Sequence, residues 1–316
     1  MHVAVIGAGA IGSALGATLS EIVPVTLIGH SNQHLEALET APLTVRRADD
    51  TATSVAVNVT TDHAAAEDAE LVILAVKSYD TGSAMSDIQP FVEDTAILTL
   101  QNGLGNIERM RETVPPERVI GGTTTLGAFL PEPGVLRIES AGQTTLGRPW
   151  GRTDHLLETV KATFQSAGLE TQLDAQIRGR IWEKVLVNVG INPVTALGGV
   201  RNGRLRSGPG RALLVSAIEE AQTVAEAEGF GIDAPVERAL AVVETTAGNR
   251  SSMCRDLESN SRTEIDALNG AIVDRAETHG IAVPVNRTLT DAVKLRSSNG
   301  ESRDDPGANP SNVRLQ

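Results

Sequence analysis

The chain is poor in cysteine, lysine and long apolar runs, and each shortage removes a class of protein. Its one cysteine, Cys254, rules out an internal disulfide and a cysteine-based metal cluster. None of the six histidines lies in an HExxH motif, so no metal site is expected. No apolar run approaches the roughly 20 residues that a membrane-spanning helix needs. Basic residues are outnumbered, 27 Lys and Arg against 40 Asp and Glu, and the net charge of −13 argues against a nucleic-acid partner. Met1 leads into an apolar strand with no charged leader or cleavage site. The expectation is a soluble, cytoplasmic protein, and 316 residues fit two domains.

The lysine shortage turns attention to where lysine is used. Only Lys77, Lys161, Lys184 and Lys294 occur; every other basic residue counted above is Arg. Lys184 lies inside an apolar helical stretch, IWEKVLVNVGINP, with Asn188 and Asn192 following at steps of four. On an α-helix that spacing puts all three on one face, drifting by about 40° per step. A buried Lys beside two amides is costly unless something polar needs it there. Arg cannot release a proton near neutral pH, whereas a desolvated Lys can act as acid or base. The competing reading is a lysine whose stem is buried and whose ammonium reaches solvent.

The first half alternates strands with helical stretches. Val3 to Ile6, Val25 to Ile28, 71–76, 96–100 and 119–122 read as strands, and 10–19 as a helix. Segments near 123–129, 135–138 and 144–146 read as extended. This order predicts an α/β fold with a doubly wound parallel sheet. After residue 173 amphipathic helices dominate, over 177–192, 210–228, 235–247, 264–278 and 288–295. The predicted division is a dinucleotide-binding domain at 1–174, an all-α domain at 175–296 and a disordered tail at 297–316.

Gly7-Ala8-Gly9-Ala10-Ile11-Gly12 is a full G-x-G-x-x-G between a strand and a helix. In that context the motif holds a dinucleotide pyrophosphate on a helix N-terminus. The end of the second strand, Gly29-His30-Ser31-Asn32-Gln33, carries no acidic residue to hold ribose hydroxyls. His, Ser and Asn can instead hydrogen-bond a 2′-phosphate, which points to NADP; the alternative is a simple polar loop.

The blocks GAGAIG, AVKSYD (75–80), QNGLGN (101–106), GGTTTLGA (121–128), IWEKVLVNVGINPVTAL (181–197) and SSMCRDLESNSRTEID (251–266) occur in order. Together they resemble the ketopantoate reductase (2-dehydropantoate 2-reductase) family and the wider 2-keto acid reductases, from Met1 to about residue 295. The resemblance implies a Rossmann domain, a helical domain and an active site in the cleft between them. It implies NADPH-dependent reduction of 2-dehydropantoate to (R)-pantoate, a step toward pantothenate and coenzyme A. By position, Lys184 matches the catalytic acid, and Glu264 an acidic residue near the lysine and the nicotinamide. Asn188, Asn192 and Asn202 match side chains that hold the substrate. Ser252, Met253, Cys254 and Arg255 match the segment that receives its carboxylate. Asn102 matches a residue touching cofactor and substrate, and Lys77 and Ala128 match cofactor contacts. Where His30 stands some members carry Arg, and His is charged only part of the time near pH 7.

Several of these residues have plainer readings. Asn192 precedes Pro193, where helices usually end or kink. Asn102-Gly103 is a common turn pair. Ser261-x-x-Glu264 reads as a capping box. The competing functions are reduction of another 2-keto acid and a non-catalytic dinucleotide sensor; a sensor has no need of a proton donor. The sequence does not give the oligomeric state; the apolar faces of the helical domain could pair in a homodimer.

Overall fold

The computed structural model describes residues 1–298 of the chain. Two compact units are present, Met1–Val185 and a second beginning at Leu186.

The first unit opens with β1 (Val3–Ile6), α1 (Ala10–Leu19), β2 (Val25–Ile28) and α2 (Gln33–Thr40). Three short strands follow: β3 (Leu43–Arg46), β4 (Ala52–Val55) and β5 (Asn58–Thr60). Then come β6 (Leu71–Leu74), α3 (Thr81–Ile88), β7 (Ala96–Thr99), α4 (Asn106–Arg111) and β8 (Val119–Thr124). The unit continues through β9 (Gly127–Glu132), β10 (Val135–Ser140), β11 (Gln143–Gly147), α5 (His155–Ser166) and β12 (Glu170–Leu173).

Among the described residues the larger sheet has the order β12-β11-β8-β7-β6-β1-β2-β5. From β5 to β8 all neighbours are parallel, which is the Rossmann order with β1 at the point where the winding reverses. β11 runs antiparallel to β8 and carries β12 parallel to itself. The parallel strands are apolar without alternation because both faces are covered. Val3, Val5, Leu71 and Ile73 pack into one cluster with Leu15 and Leu19 of α1. Ala4, Ile6, Val72 and Leu74 pack into the other with Met85 and Ile88 of α3.

A second sheet, order β4-β3-β10-β9, is a departure from the sequence reading, which left β3, β4 and β5 unassigned. β4 is almost wholly exposed and short, so its sequence lacks an apolar signature. Leu43, Val45 and Leu136 of this sheet join the cluster around α1.

The helix α6 (Ile177–Gly198) leads into the second unit, which contains α7 (Gly208–Ala227), α8 (Pro235–Thr245), α9 (Ser252–Glu258), α10 (Asn269–His279) and α11 (Pro284–Ser298). Three expectations are corrected. α6 does not stop at residue 192 but passes through Pro193 for another turn and a half. The helix expected over 264–278 is instead a 3-10 turn, Ile265–Ala267, broken from α10 by the non-helical Leu268 at φ −102, ψ −100. Glu264 itself stands at the N-cap of that turn, with no side-chain cap bond, so the expected capping box from Ser261 is not built. The serine that caps is Ser251, whose Oγ accepts from the Cys254 N–H at 3.1 Å and starts α9. Of the tail expected at 297–316, Ser297 and Ser298 belong to α11; the remainder lies outside the described residues. Among the described residues no helix is long and apolar enough to cross a membrane.

Candidate active site

In a doubly wound sheet the carboxyl ends of the strands face the ligand. The glycine loop leaves the end of β1, and its glycines answer different demands. Gly7 has φ +107, and a Cβ there would lie 2.7 Å from the Val76 nitrogen at the end of β6. A Cβ on Gly12 would lie 1.8 Å from the Gly7 carbonyl oxygen, so only glycine lets α1 start this close to the loop. A Cβ on Gly9 would meet nothing within 4 Å among the described residues. That space lies in front of the N-terminus of α1, which has no side-chain cap and no acidic residue in its first turn. An anion fits such a terminus, so the loop Gly7 to Gly12 suits a pyrophosphate.

A directed relay braces this loop. The Gly134 N–H donates to His34 Nδ1 at 3.0 Å, which leaves the ring proton on Nε2. His34 Nε2 then donates to Ser13 Oγ at 3.0 Å, and Ser13 Oγ donates to the Ala8 carbonyl at 3.3 Å. His34 is 8% exposed, and burial holds its pKa below the ordinary 6.5.

At the end of β2 His30 is exposed, with its ring 6.5 Å from that of His63. Asn32 is committed to structure: its Oδ1 accepts from the His34 and Leu35 amides and caps α2. Ser31 Oγ donates to Glu36 at 3.2 Å. Of the loop residues proposed for a 2′-phosphate, Asn32 therefore follows the polar-loop reading, and His30 is left as the exposed candidate.

Lys77 follows β6 and Asn102 follows β7, both half-buried. A network that sequence reading missed joins the two loops. Gln101 Nε2 donates to the Val76 carbonyl at 2.8 Å and to Thr81 Oγ1 at 2.9 Å. Asn106 Nδ2 donates to the Asn102 carbonyl at 3.0 Å, and its Oδ1 lies 3.0 Å from Thr81 Oγ1. The only hint was the block QNGLGN itself. Gly103 and Gly105, both at φ +90, bend this loop. Ala128 lies in β9, paired with Ile138 of the second sheet.

Lys184 Nζ donates to the carbonyl of Thr124, the last residue of β8, at 2.9 Å. The ammonium is thereby set at the carboxyl end of the same parallel sheet as the glycine loop, Lys77 and Asn102. Its side chain is half-buried, between the two readings open from the sequence. Thr124 carried no sequence signal, because its part is played by a backbone carbonyl 60 residues away.

The second unit holds the other predicted residues. Asn188 is half-buried and Asn192 is 7% exposed. Asn202 is 7% exposed; its Nδ2 donates to Thr246 Oγ1 at 2.9 Å, and its buried Oδ1 has no partner among the described residues. Ser252 is exposed and Arg255 half-buried, whereas Met253 and Cys254 are 2% and 1% exposed. Those two side chains are core, so only their backbone can face a ligand. Glu264 is 7% exposed, just before the 3-10 turn. Thr195 Oγ1 lies 2.8 Å from Ser251 Oγ and ties α6 to the start of α9.

Comparison with known proteins gives a consistent result. The family described as Ketopantoate reductase PanE/ApbA matches residues 3–150, and its C-terminal counterpart matches 176–297. A 2-dehydropantoate 2-reductase of Halobacterium salinarum is 45% identical over 303 residues, covering 95% of this chain and 100% of that protein. One of Pyrococcus horikoshii is 38% identical, covering 95% and 99%. A PanE/ApbA family ketopantoate reductase from Ralstonia eutropha superposes with TM-score 0.87 at 31% identity, over 95% of this chain and 100% of that one. D-mandelate dehydrogenase with NADH and anilino(oxo)acetate superposes with TM-score 0.88 at 25% identity, over the same shares. The chain belongs to the ketopantoate reductase family.

Proposed function

We propose that the protein reduces 2-dehydropantoate to (R)-pantoate with NADPH, serving pantothenate and coenzyme A synthesis. The observation that carries the reading is Lys184, set by the Thr124 carbonyl at the strand ends that also bear the glycine loop. Residues 1–174 bind the cofactor, and 175–296 supply the substrate side chains. Gly7 to Gly12 hold the pyrophosphate, and His30 meets the 2′-phosphate. Lys77, Asn102 and Ala128 contact the cofactor along its length. The cofactor, when bound, supplies a hydride for the keto carbon.

The chain's own part is charge and position. As the carbonyl oxygen becomes an alkoxide, the Lys184 ammonium stabilises it and transfers a proton to it, giving the hydroxyl. Asn188 and Asn192, one and two turns on, donate and accept hydrogen bonds to a substrate bearing hydroxyl and keto groups. Asn202 brings a buried carbonyl oxygen without a partner among the described residues, which suits a substrate hydroxyl. The amides opening α9, with Ser252 and Arg255, receive the carboxylate. Glu264 acts beside the lysine. The enzyme is read as cytoplasmic, without nucleic-acid partners, and as a homodimer; exposed Leu213 and Val242 on α7 and α8 offer apolar positions for pairing.

The likeness to D-mandelate dehydrogenase favours a second reading, in which another 2-keto acid is the substrate. Turnover of ketopantoate beside a panel of 2-keto acids, each with NADPH and NADH, decides. Ketopantoate with NADPH should give the highest kcat/KM. A higher value for an aryl or other alkyl keto acid selects the second reading, and no turnover of any keto acid removes both.

A further inference from the structure

Pro193 lies inside α6 and has no N–H to offer the carbonyl four residues back. That carbonyl belongs to Val189, on the turn between Asn188 and Asn192. A buried carbonyl without a donor is destabilising, and proline interruptions persist where another group replaces the lost bond. Here the replacement is Asn269, the first residue of α10. Its Nδ2 donates to the Val189 carbonyl at 3.1 Å.

Asn269 is itself held. Its second Nδ2 hydrogen points to Asn286 Oδ1 at 3.0 Å. Asn286 Nδ2 donates to the Ala217 carbonyl at 2.9 Å and to Glu220 Oε2 at 2.8 Å. Glu220, on α7, also accepts the Val285 and Asn286 backbone amides at 2.9 and 3.0 Å, closing the N-terminus of α11. Both asparagines are 0% exposed. The chain of donors therefore runs from α10 to α6 on one side and from α11 to α7 on the other. Asn269 Oδ1 is buried with no partner among the described residues. A flipped amide would set that oxygen against the Val189 carbonyl, two acceptors face to face, so the side chain is retained for its donor.

We infer that Asn269 is a positioning residue for the substrate side chains: it locks the proline-interrupted turn of α6 and so fixes the directions of Asn188 and Asn192. The inference rests on the reading that those two amides hold the keto acid. Asn269 touches no reacting atom. Its effect should appear in substrate recognition and should depend on Pro193, because the demand for an outside donor exists only while the helix lacks its own. Displacement of a binding group by about 1 Å is enough to change recognition strongly.

The test is a double-mutant cycle on the full chain, with KM for the keto acid, the cofactor dissociation constant and the melting temperature measured for each variant. Asn269→Asp keeps shape and removes the donor; Asn269→Ser is the second choice if the aspartate fails to fold. Pro193→Ala returns a backbone N–H to Val189. Asn269→Asp should raise the keto-acid KM about tenfold with cofactor affinity unchanged. In the Pro193→Ala background the same change should raise it less than about threefold. An equal effect in both backgrounds, or a lowered melting temperature without a change in KM, would overturn the proposal. Asn188→Ala separates the two layers. A raised KM for Asn188→Ala beside either of those results refutes the role of Asn269 alone. An unchanged KM for Asn188→Ala refutes the substrate reading and the positioning role with it.

Discussion

At the scale of single residues the chemistry is set by partners distant in sequence. Lys184 stood out because lysine is rare and this one interrupts an apolar helix, yet the carbonyl that aims it, Thr124, gave no sign. The glycine loop was readable to the residue, since backbone space is written directly in glycine. Its brace was not: His34 reaches Gly134 across 100 residues. Protonation would put a hydrogen on Nδ1, opposite the Gly134 N–H, and two donors would face each other. Since burial lowers the native pKa of His34, the unfolded chain takes up the proton first as pH falls. The stability contributed by neutral His34 is complete above 6.5 and is lost as pH drops from there to the lower native value. Glu132, which lines a surface pocket with His34, is paired with Arg46. Melting temperatures between about pH 8 and 5 should therefore fall more steeply for the wild type than for His34→Asn, which cannot titrate there. Parallel profiles would exclude His34 as the group responsible.

At the scale of elements, strands buried on both faces announced themselves as apolar runs, and β1, β2, β6, β7 and β8 were found within two residues of their ends. The sheet of β3, β4, β9 and β10 was only half-read, because β4 is exposed and carries no alternation. Pro193 gave the wrong helix end, since the rule that helices stop before proline assumes that no outside donor exists; Asn269 provides one. Ser261 and Glu264 imitate a capping box, but the helix they would start is broken at Leu268. A cap that does operate is Asp154 of α5. Its Oδ1 accepts from the Leu157 amide at 2.8 Å and its Oδ2 pairs with Arg148, whose side chain is 5% exposed. Asp154→Ala removes the cap and leaves a buried guanidinium without its carboxylate, and should cost about 2 kcal/mol in denaturant unfolding. Asp154→Asn keeps an acceptor for Leu157 and should lose less. A loss under about 0.5 kcal/mol for the alanine variant would show that neither contact is used.

At the scale of the whole molecule, composition excluded more than it identified. The acidic balance argued against a nucleic-acid partner and the lone cysteine against an internal disulfide, but the activity became readable only through ordered blocks along the chain. The two compact units hold different candidate groups, the glycine loop at strand ends in one and buried asparagine amides in the other. Substrate identity was the least legible property, because amides such as those of Asn188, Asn192 and Asn202 can pair with hydroxyl and keto groups without fixing a carbon skeleton. The central claim is that Lys184 gives the carbonyl oxygen its proton. The direct measurement is the rate of NADPH oxidation at saturating ketopantoate for the wild type and Lys184→Ala, with cofactor binding followed by fluorescence. The account predicts a kcat lower by about 10²–10⁴-fold with cofactor affinity retained. Turnover by Lys184→Ala within about threefold of the wild type would contradict it.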